Sequence, residues 1–174
     1  MKSWDPKFFK ERLNTFLNNT ETEHSMATFG IDIPETHIRV FGEGTSKEQA
    51  LDQLIEALAN NASVTDAGAF RTAVLAREAQ GSTAMGGGIA IPHVRHDSVS
   101  RPALAVGISA PGVPFGANDG SPAHIIVLFA VPTAQDKVYL NLLAQTMLAL
   151  RDKTLFAQLS TCKTAADACG LLAR

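Results

Sequence analysis

A histidine stands directly after a proline at the end of a glycine-rich approach: Gly86, Gly87, Gly88, Ile89, Ala90, Ile91, Pro92, His93. Arg77, Ser82 and Thr83 precede it, a guanidinium and two hydroxyls. An imidazole with its ordinary pKa of about 6.5 is mostly neutral at pH 7 and is a competent nucleophile. Phosphoryl transfer asks mainly for in-line positioning and for donors around the equatorial oxygens. Arg77 offers a guanidinium fork, Ser82 and Thr83 offer hydroxyl donors, and residues 86–88 offer backbone N–H groups that no side chain shields. These residue types suit a phosphoryl carrier with His93 as acceptor. Other readings use the same stretch. His93, His96 and the adjacent Asp97 raise a metal site, although their spacing is not that of a helical H-E-x-x-H pair. Ser82, His93 and Asp97 hold the residue types of a hydrolase triad, but no G-x-S-x-G elbow is present. A structural histidine at a strand end is the fourth. Of the other histidines, His24 and His37 read as surface residues and His124 as a strand-end hydrogen bonder.

The elements that must position His93 follow from apolar spacing. Ile89, Ala90 and Ile91 read as a short strand buried on both faces. Pro92 denies the ladder a donor, so the strand ends there or runs along an edge, leaving His93 in the loop beyond. Upstream, residues 38–41 read as a strand closed by Gly42 and Gly44. Ser46 caps a helix whose stripe is Ala50, Leu51, Leu54, Ile55 and Leu58. Thr65 or Asp66 starts a second helix carrying Phe70, Val74 and Leu75, with Arg77 and Glu78 near its end. Residues 80–85 read as a mobile lead-in to the glycines. Downstream, residues 103–109 are a strand, 111–116 a loop and 118–120 a turn. Residues 125–131 (IIVLFAV) form the strongest strand, ended by Pro132. A long helix over residues 135–151 carries Val138, Leu142, Leu143, Met147 and Leu150, and two shorter helices cover residues 154–159 and 164–172. Lys47, Glu48 and the charges of residues 151–153 read as solvated faces. This pattern predicts an α/β domain with a mixed, mostly buried sheet between helices.

Residues 1–20 form a separate helical pattern, with Asp5 as cap, Pro6 in the first turn, and Phe9, Leu13, Phe16 and Leu17 at helical spacing. Trp4 and Phe8 enlarge that apolar face, which must pack on the domain or on a second copy or partner. Residues 18–36 are polar, lack a period and read as linker. The expected organisation is therefore an extension and linker over residues 1–35 and one domain over residues 36–174.

The composition excludes several classes. The 174 residues are 45% hydrophobic and 18% charged, enough for a sizeable core. A formal net charge of -2 argues against general nucleic-acid binding. No apolar run approaches the ~20 residues of a membrane helix, and the polar N-terminus lacks a signal-peptide core. Cys162 and Cys169 fit neither a C-x-x-C redox pair nor a zinc site and read as small packing residues in a reducing compartment. A cytoplasmic location is expected.

The run Arg77, Glu78, Gly81, Ser82, Thr83, Gly86, then Gly88, Ile89, Ala90, Ile91, Pro92, His93 resembles the fructose/mannitol-type enzyme IIA domain of the bacterial phosphoenolpyruvate-dependent phosphotransferase system, a family that includes the nitrogen-regulatory IIA protein. The likeness continues through Ser100, Arg101, Pro102 and Ala103, then Val113, Pro114 and Phe115, then Asp119 and Gly120, then Val131 and Pro132. It closes on Leu150, Arg151, Asp152 and Lys153. It covers roughly residues 36–173, and the G-I-A-I-P-H core is the specific part. The resemblance implies an α/β sandwich in which His93 accepts a phosphoryl group from the phosphohistidine of HPr and passes it to a IIB domain. It implies that Arg77 lies near the phosphohistidine, that Ser82 and Thr83 match polar positions of the site, and that no cofactor or metal is used.

Two positions depart from the family pattern. Many members carry glycine where Val94 stands, and a β-branched side chain disfavours φ > 0 and would protrude where a partner docks. Many members carry a second active-site histidine where Tyr139 stands, and a phenol can donate a hydrogen bond but stays neutral at pH 7. Two functions follow. One is a phosphocarrier between an HPr-type donor and a IIB-type acceptor. The other is a regulatory or degenerate IIA-like module that binds a regulated protein, with phosphorylation as a switch or lost.

Overall fold

The computed structural model describes residues 27–173. The helix expected over residues 1–20, its aromatic face and the dimer contact considered for it lie outside the described residues. A 3-10 turn, Glu35–His37, leads into strand β1, Ile38–Val40. Helix α1, Lys47–Ala59, begins at a reciprocal cap: the Ser46 hydroxyl accepts the Gln49 N–H while the Gln49 side chain accepts the Ser46 N–H. Helix α2, Ala67–Ala79, begins where the Asp66 carboxylate accepts the Ala69 N–H. Three short strands follow, β2 Ala84–Gly86, β3 Ile89–Ala90 and β4 His93–Arg95. Two long strands, β5 Ala103–Val113 and β6 Ala123–Val131, then precede helices α3 Asp136–Leu150, α4 Lys153–Ser160 and α5 Ala165–Leu172.

The strands make one mixed six-stranded sheet in the order β1-β5-β6-β3-β2, with β4 also pairing β6. The β5–β6 pair is antiparallel, whereas β1 on β5, and β3 and β4 on β6, are parallel. Side chains alternate across each strand, so the sheet has two apolar faces. On one face Ile126, Leu128 and Ala130 of β6 join Leu51, Leu54, Leu58, Phe70 and Val74 of α1 and α2. On the other, Ile125, Val127, Phe129 and Val131 join Tyr139, Leu142 and Leu143 of α3 and Leu172 of α5. A mixed sheet between helices is the architecture expected from the sequence.

Several local readings are corrected. The chain does not leave the sheet at Pro92: β3 stops at Ala90, and β4 resumes along the same strand β6. Pro92 cannot donate, but its carbonyl accepts the Phe129 N–H at 2.9 Å, so pairing survives the proline. His93 therefore lies in a strand, not in a loop. The end of the lead-in expected to be mobile, Ala84 and Met85, lies in β2, which pairs with β3. Pro111 and Gly112, expected in a loop, lie inside β5 at an irregular register between Ile108 and Val113, where a missing donor and a positive φ are tolerated. The linker reading fails over residues 27–36: Phe29 and Ile33 are buried against Leu104 and Leu143 in the core. His37 is buried rather than exposed. Its Nδ1–H donates to the Leu104 carbonyl at 3.0 Å, and Nε2 accepts from the Asn61 amide at 2.7 Å. Burial lowers its pKa. His124 is the strand-end hydrogen bonder expected, donating from Nδ1 to the Ser109 carbonyl.

Candidate active site

β6 is the template for the site. His93, Val94 and Arg95 of β4 stand opposite Phe129, Ala130 and Val131. Opposed residues share a face, so His93 and Arg95 point to the α3 side with Phe129, and Val94 points to the α1/α2 side with Ala130. Val94 is buried in that second core and its φ is negative. The expectation that it protrudes toward a partner is thus wrong, because the strand continues past Pro92 and its alternation turns Val94 inward.

The His93 ring has a defined tautomer. Nδ1 lies 2.9 Å from the Ile91 carbonyl, which can only accept, so Nδ1 carries the proton and Nε2 carries the lone pair. Burial is the main influence on the ring and drives its pKa down to about 4. The Arg77 and Arg95 cations push the same way, while the Ile91 hydrogen bond opposes them. At neutral pH His93 is an uncharged imidazole with a nucleophilic Nε2 beside two guanidinium groups. Tyr139 of α3 tilts against it, with ring centroids 5.6 Å apart. Phe129 meets the phenol edge-on. The Tyr139 hydroxyl is buried and has no hydrogen-bond partner among the described residues. Burial pushes its pKa up, against the pull of both arginines, so it stays a neutral donor.

Arg77 comes from the last turn of α2, and its Nη1 donates to the Gly81 carbonyl at 3.1 Å. That bond ties the guanidinium to the segment carrying Ser82 and Thr83. Neither hydroxyl is idle. Ser82 Oγ donates to the Phe115 carbonyl at 2.6 Å and accepts the Ala84 N–H. Thr83 is 2% exposed, and its Oγ1 donates to Glu78 Oε2 at 2.7 Å while its N–H donates to Oε1. The buried Glu78 carboxylate also pairs with Lys47 Nζ at 2.5 Å. Lys47 is no solvated face: its ammonium lies 4.8 Å from the centre of the Phe115 ring. The structure thus brings His93, Arg77 and Tyr139 into one electrostatic group and turns Thr83 into a buried clasp behind it.

The triple glycine serves elsewhere. Gly88 precedes Ile89, opposite Ile125, whereas His93 is opposite Phe129. Four strand steps of ~3.3 Å, roughly 13 Å, separate those two positions of β6, and Gly88 lies one step further off. The Gly87 N–H is taken by Asp119 Oδ2 at 2.9 Å, and Ser121 donates its N–H and hydroxyl to Oδ1. These bonds, the Ser121 hydroxyl foremost, hold the Asp119 carboxyl down to about 2. The glycines adopt positive φ at a hairpin tip, so the phosphate cradle expected from residues 86–88 is not built there.

Among the described residues, no three His, Cys, Asp or Glu side chains gather as metal ligands would. His96 Nδ1 accepts from the Ser98 N–H and hydroxyl. No helix among the described residues is long and apolar enough to cross a membrane. Arg95 was missed by sequence reasoning. Its signal, a cation two residues beyond His93, becomes readable only once β4 is known to be a strand.

A family model, "Phosphoenolpyruvate-dependent sugar phosphotransferase system, EIIA 2", matches residues 33–174. A fructose-specific EIIABC component of the phosphotransferase system from Bacillus subtilis is 35% identical over 117 residues, which make up 67% of this chain and 18% of that protein's length. A nitrogen regulatory protein from Pseudomonas aeruginosa is 39% identical over 103 residues, 59% of this chain and 66% of that protein. The crystal structure of nitrogen regulatory protein IIA-Ntr from Neisseria meningitidis aligns with a TM-score of 0.70 at 28% identity, covering 81% of this chain and 96% of that one. The chain therefore spans only part of the length of both sequence relatives.

Proposed function

The chain belongs to the EIIA 2 family of the phosphoenolpyruvate-dependent sugar phosphotransferase system, and from that premise we propose that Nε2 of His93 is the phosphoryl acceptor. The donor is an HPr-type phosphohistidine protein, the acceptor a IIB-type protein, and the setting the cytoplasm. The observation that carries this reading is the His93 Nδ1–H bond to the Ile91 carbonyl, which puts the ring proton on Nδ1 and the lone pair on Nε2, in the field of the Arg77 and Arg95 guanidinium groups.

In the step, the Nε2 lone pair of His93 attacks phosphorus and forms a new N–P bond. The N–P bond of the donor breaks in line, its electron pair returning to the donor imidazole. The Nδ1 proton stays on His93, and the Ile91 carbonyl accepting it stabilises the imidazolium formed. Arg77 balances the phosphoryl dianion, and the Tyr139 hydroxyl, which has no hydrogen-bond partner among the described residues, donates to one of its oxygens. Ser82 and Thr83 act from behind: their bonds to Phe115 and Glu78 fix the segment that holds Arg77. The onward step is the same reaction run from His93 to the acceptor. A nitrogen-15 and phosphorus-31 correlation spectrum of the phosphorylated chain is expected to place the N–P bond on Nε2; a bond on Nδ1 would overturn the assignment.

A second reading is favoured by the nitrogen regulatory relative, which is 39% identical. There phosphorylation of His93 alters which protein the chain binds. Capture of a defined non-transport protein by His93→Ala and not by the phosphorylated chain would favour it. Passage of the phosphoryl group to a IIB protein favours the first.

A further inference from the structure

His93 and Arg95 leave β4 on the same face, two residues apart, with Val94 buried behind them. Both reach the Tyr139 ring. The His93 ring centre lies 5.6 Å from it, and the Arg95 guanidinium carbon lies 6.0 Å from its centre. The charged and titratable groups converging here are Arg77 from α2, His93 and Arg95 from β4, and Asp136 and Tyr139 from α3. Arg95 is ion-paired with Asp136 in the first turn of α3. Both side chains are about half exposed or more, 46% and 66%, so the pair is screened by water and weak. A phosphoryl dianion takes a guanidinium fork more strongly than a screened carboxylate does.

We propose that Arg95 is the second cation of the phosphoryl site. It rests on Asp136 while His93 is unmodified, and moves to the phosphoryl oxygens when His93 is phosphorylated. The proposal rests on the reading of His93 as acceptor. It supplies from the strand the positive charge that the neutral phenol at position 139 cannot give. It also makes the start of α3 report the state of His93: phosphorylation covers Arg95 and releases the Asp136 carboxylate, so a docking protein meets a changed charge pattern.

The test loads the full chain with phosphoramidate, which needs no protein donor. The Nε2 lone pair bonds to phosphorus, the P–N bond of the reagent breaks, and ammonia leaves. Two resonances are then followed by NMR, the phosphohistidine phosphorus and the Arg95 Nε–H. Phosphorylation is expected to shift the Arg95 Nε–H. In Asp136→Asn that resonance should differ from wild type before phosphorylation and coincide with it afterwards, because Arg95 has then left position 136. The phosphorus resonance should move in Arg95→Ala, return part of the way in Arg95→Lys, and stay unchanged in Asp136→Asn. If Arg95→Ala leaves the phosphorus signal in place, or Asp136→Asn alters Arg95 equally in both states, the exchange does not occur. Failure to label His93 at all would overturn the acceptor reading together with this one. Amide spectra of each variant separate these outcomes from misfolding.

Discussion

Arg77 and Glu78 are neighbours in the last turn of α2 yet serve two clusters of opposite character. Glu78 faces a closed one. Its two oxygens take the Thr83 hydroxyl, the Thr83 N–H and the Lys47 ammonium, and the carboxylate is buried. Arg77 faces a more open one, where the Tyr139 hydroxyl has no hydrogen-bond partner among the described residues. A saturated polar cluster stabilises a fold and has nothing left to offer a substrate. One that holds an unsatisfied buried hydroxyl costs stability and can receive a group that arrives later. The open cluster sits where a strand end, a helix end and the start of α3 meet, and the closed one holds those parts in place.

The comparison can be broken first at its closed side. Glu78→Ala leaves Lys47 and Thr83 without their partner, and a loss of about 3 kcal/mol is expected from urea unfolding. A loss below ~1 kcal/mol would mean that the cluster does not hold the domain. Acid tests the open side. The His93 pKa falls from 6.5 to about 4 on folding, so between those values the unfolded chain binds the proton and the folded one does not. The contribution of His93 to stability is full above pH 6.5 and is lost as pH falls toward 4. His93→Gln should remove that part of the slope while the part due to His37 stays, and the His93 ring should titrate by NMR near pH 4.

Smaller effects sharpen the contrast. Gly87 has φ +61 with nothing within 4 Å of an added Cβ, so Gly87→Ala should cost only about 1 kcal/mol. Because the hairpin tip is remote from His93, the same variant should accept phosphate at the wild-type rate. A slowed rate would restore the glycines to the site. Tyr139→Phe should be the mildest change in stability and opposite in sign. Removing an unsatisfied buried hydroxyl should stabilise by about 0.5–1 kcal/mol while slowing phosphoryl transfer. Stabilisation without slowing would show that the hydroxyl never meets the phosphoryl group.

Local signals were legible in the sequence because their causes are local. Ser46, Asp66, Thr164 and Pro132 mark element ends through caps or a missing donor, and the five helices of the described residues fall within a residue or two of their expected bounds. The family-specific run singles out His93 and Arg77 as candidates, and the fold brings the two into one electrostatic group. What the sequence concealed depends on partners far along the chain. Whether His93 lies in a loop or a strand is decided by β6, which keeps pairing past Pro92. That one fact turns Val94 inward and brings Arg95 beside the site. Glu78 reads as an ordinary helix-end charge until Lys47 arrives from α1. The glycines suggest a phosphate cradle until Asp119 is seen to occupy the Gly87 N–H.

The most direct measurement is intact-mass spectrometry after incubation with phosphoenolpyruvate, enzyme I and HPr. The wild-type chain should gain one phosphoryl group that is acid-labile and absent from His93→Ala. A gain that persists in His93→Ala, or no gain with HPr from several sources, would contradict the assignment of His93 as the phosphoryl acceptor.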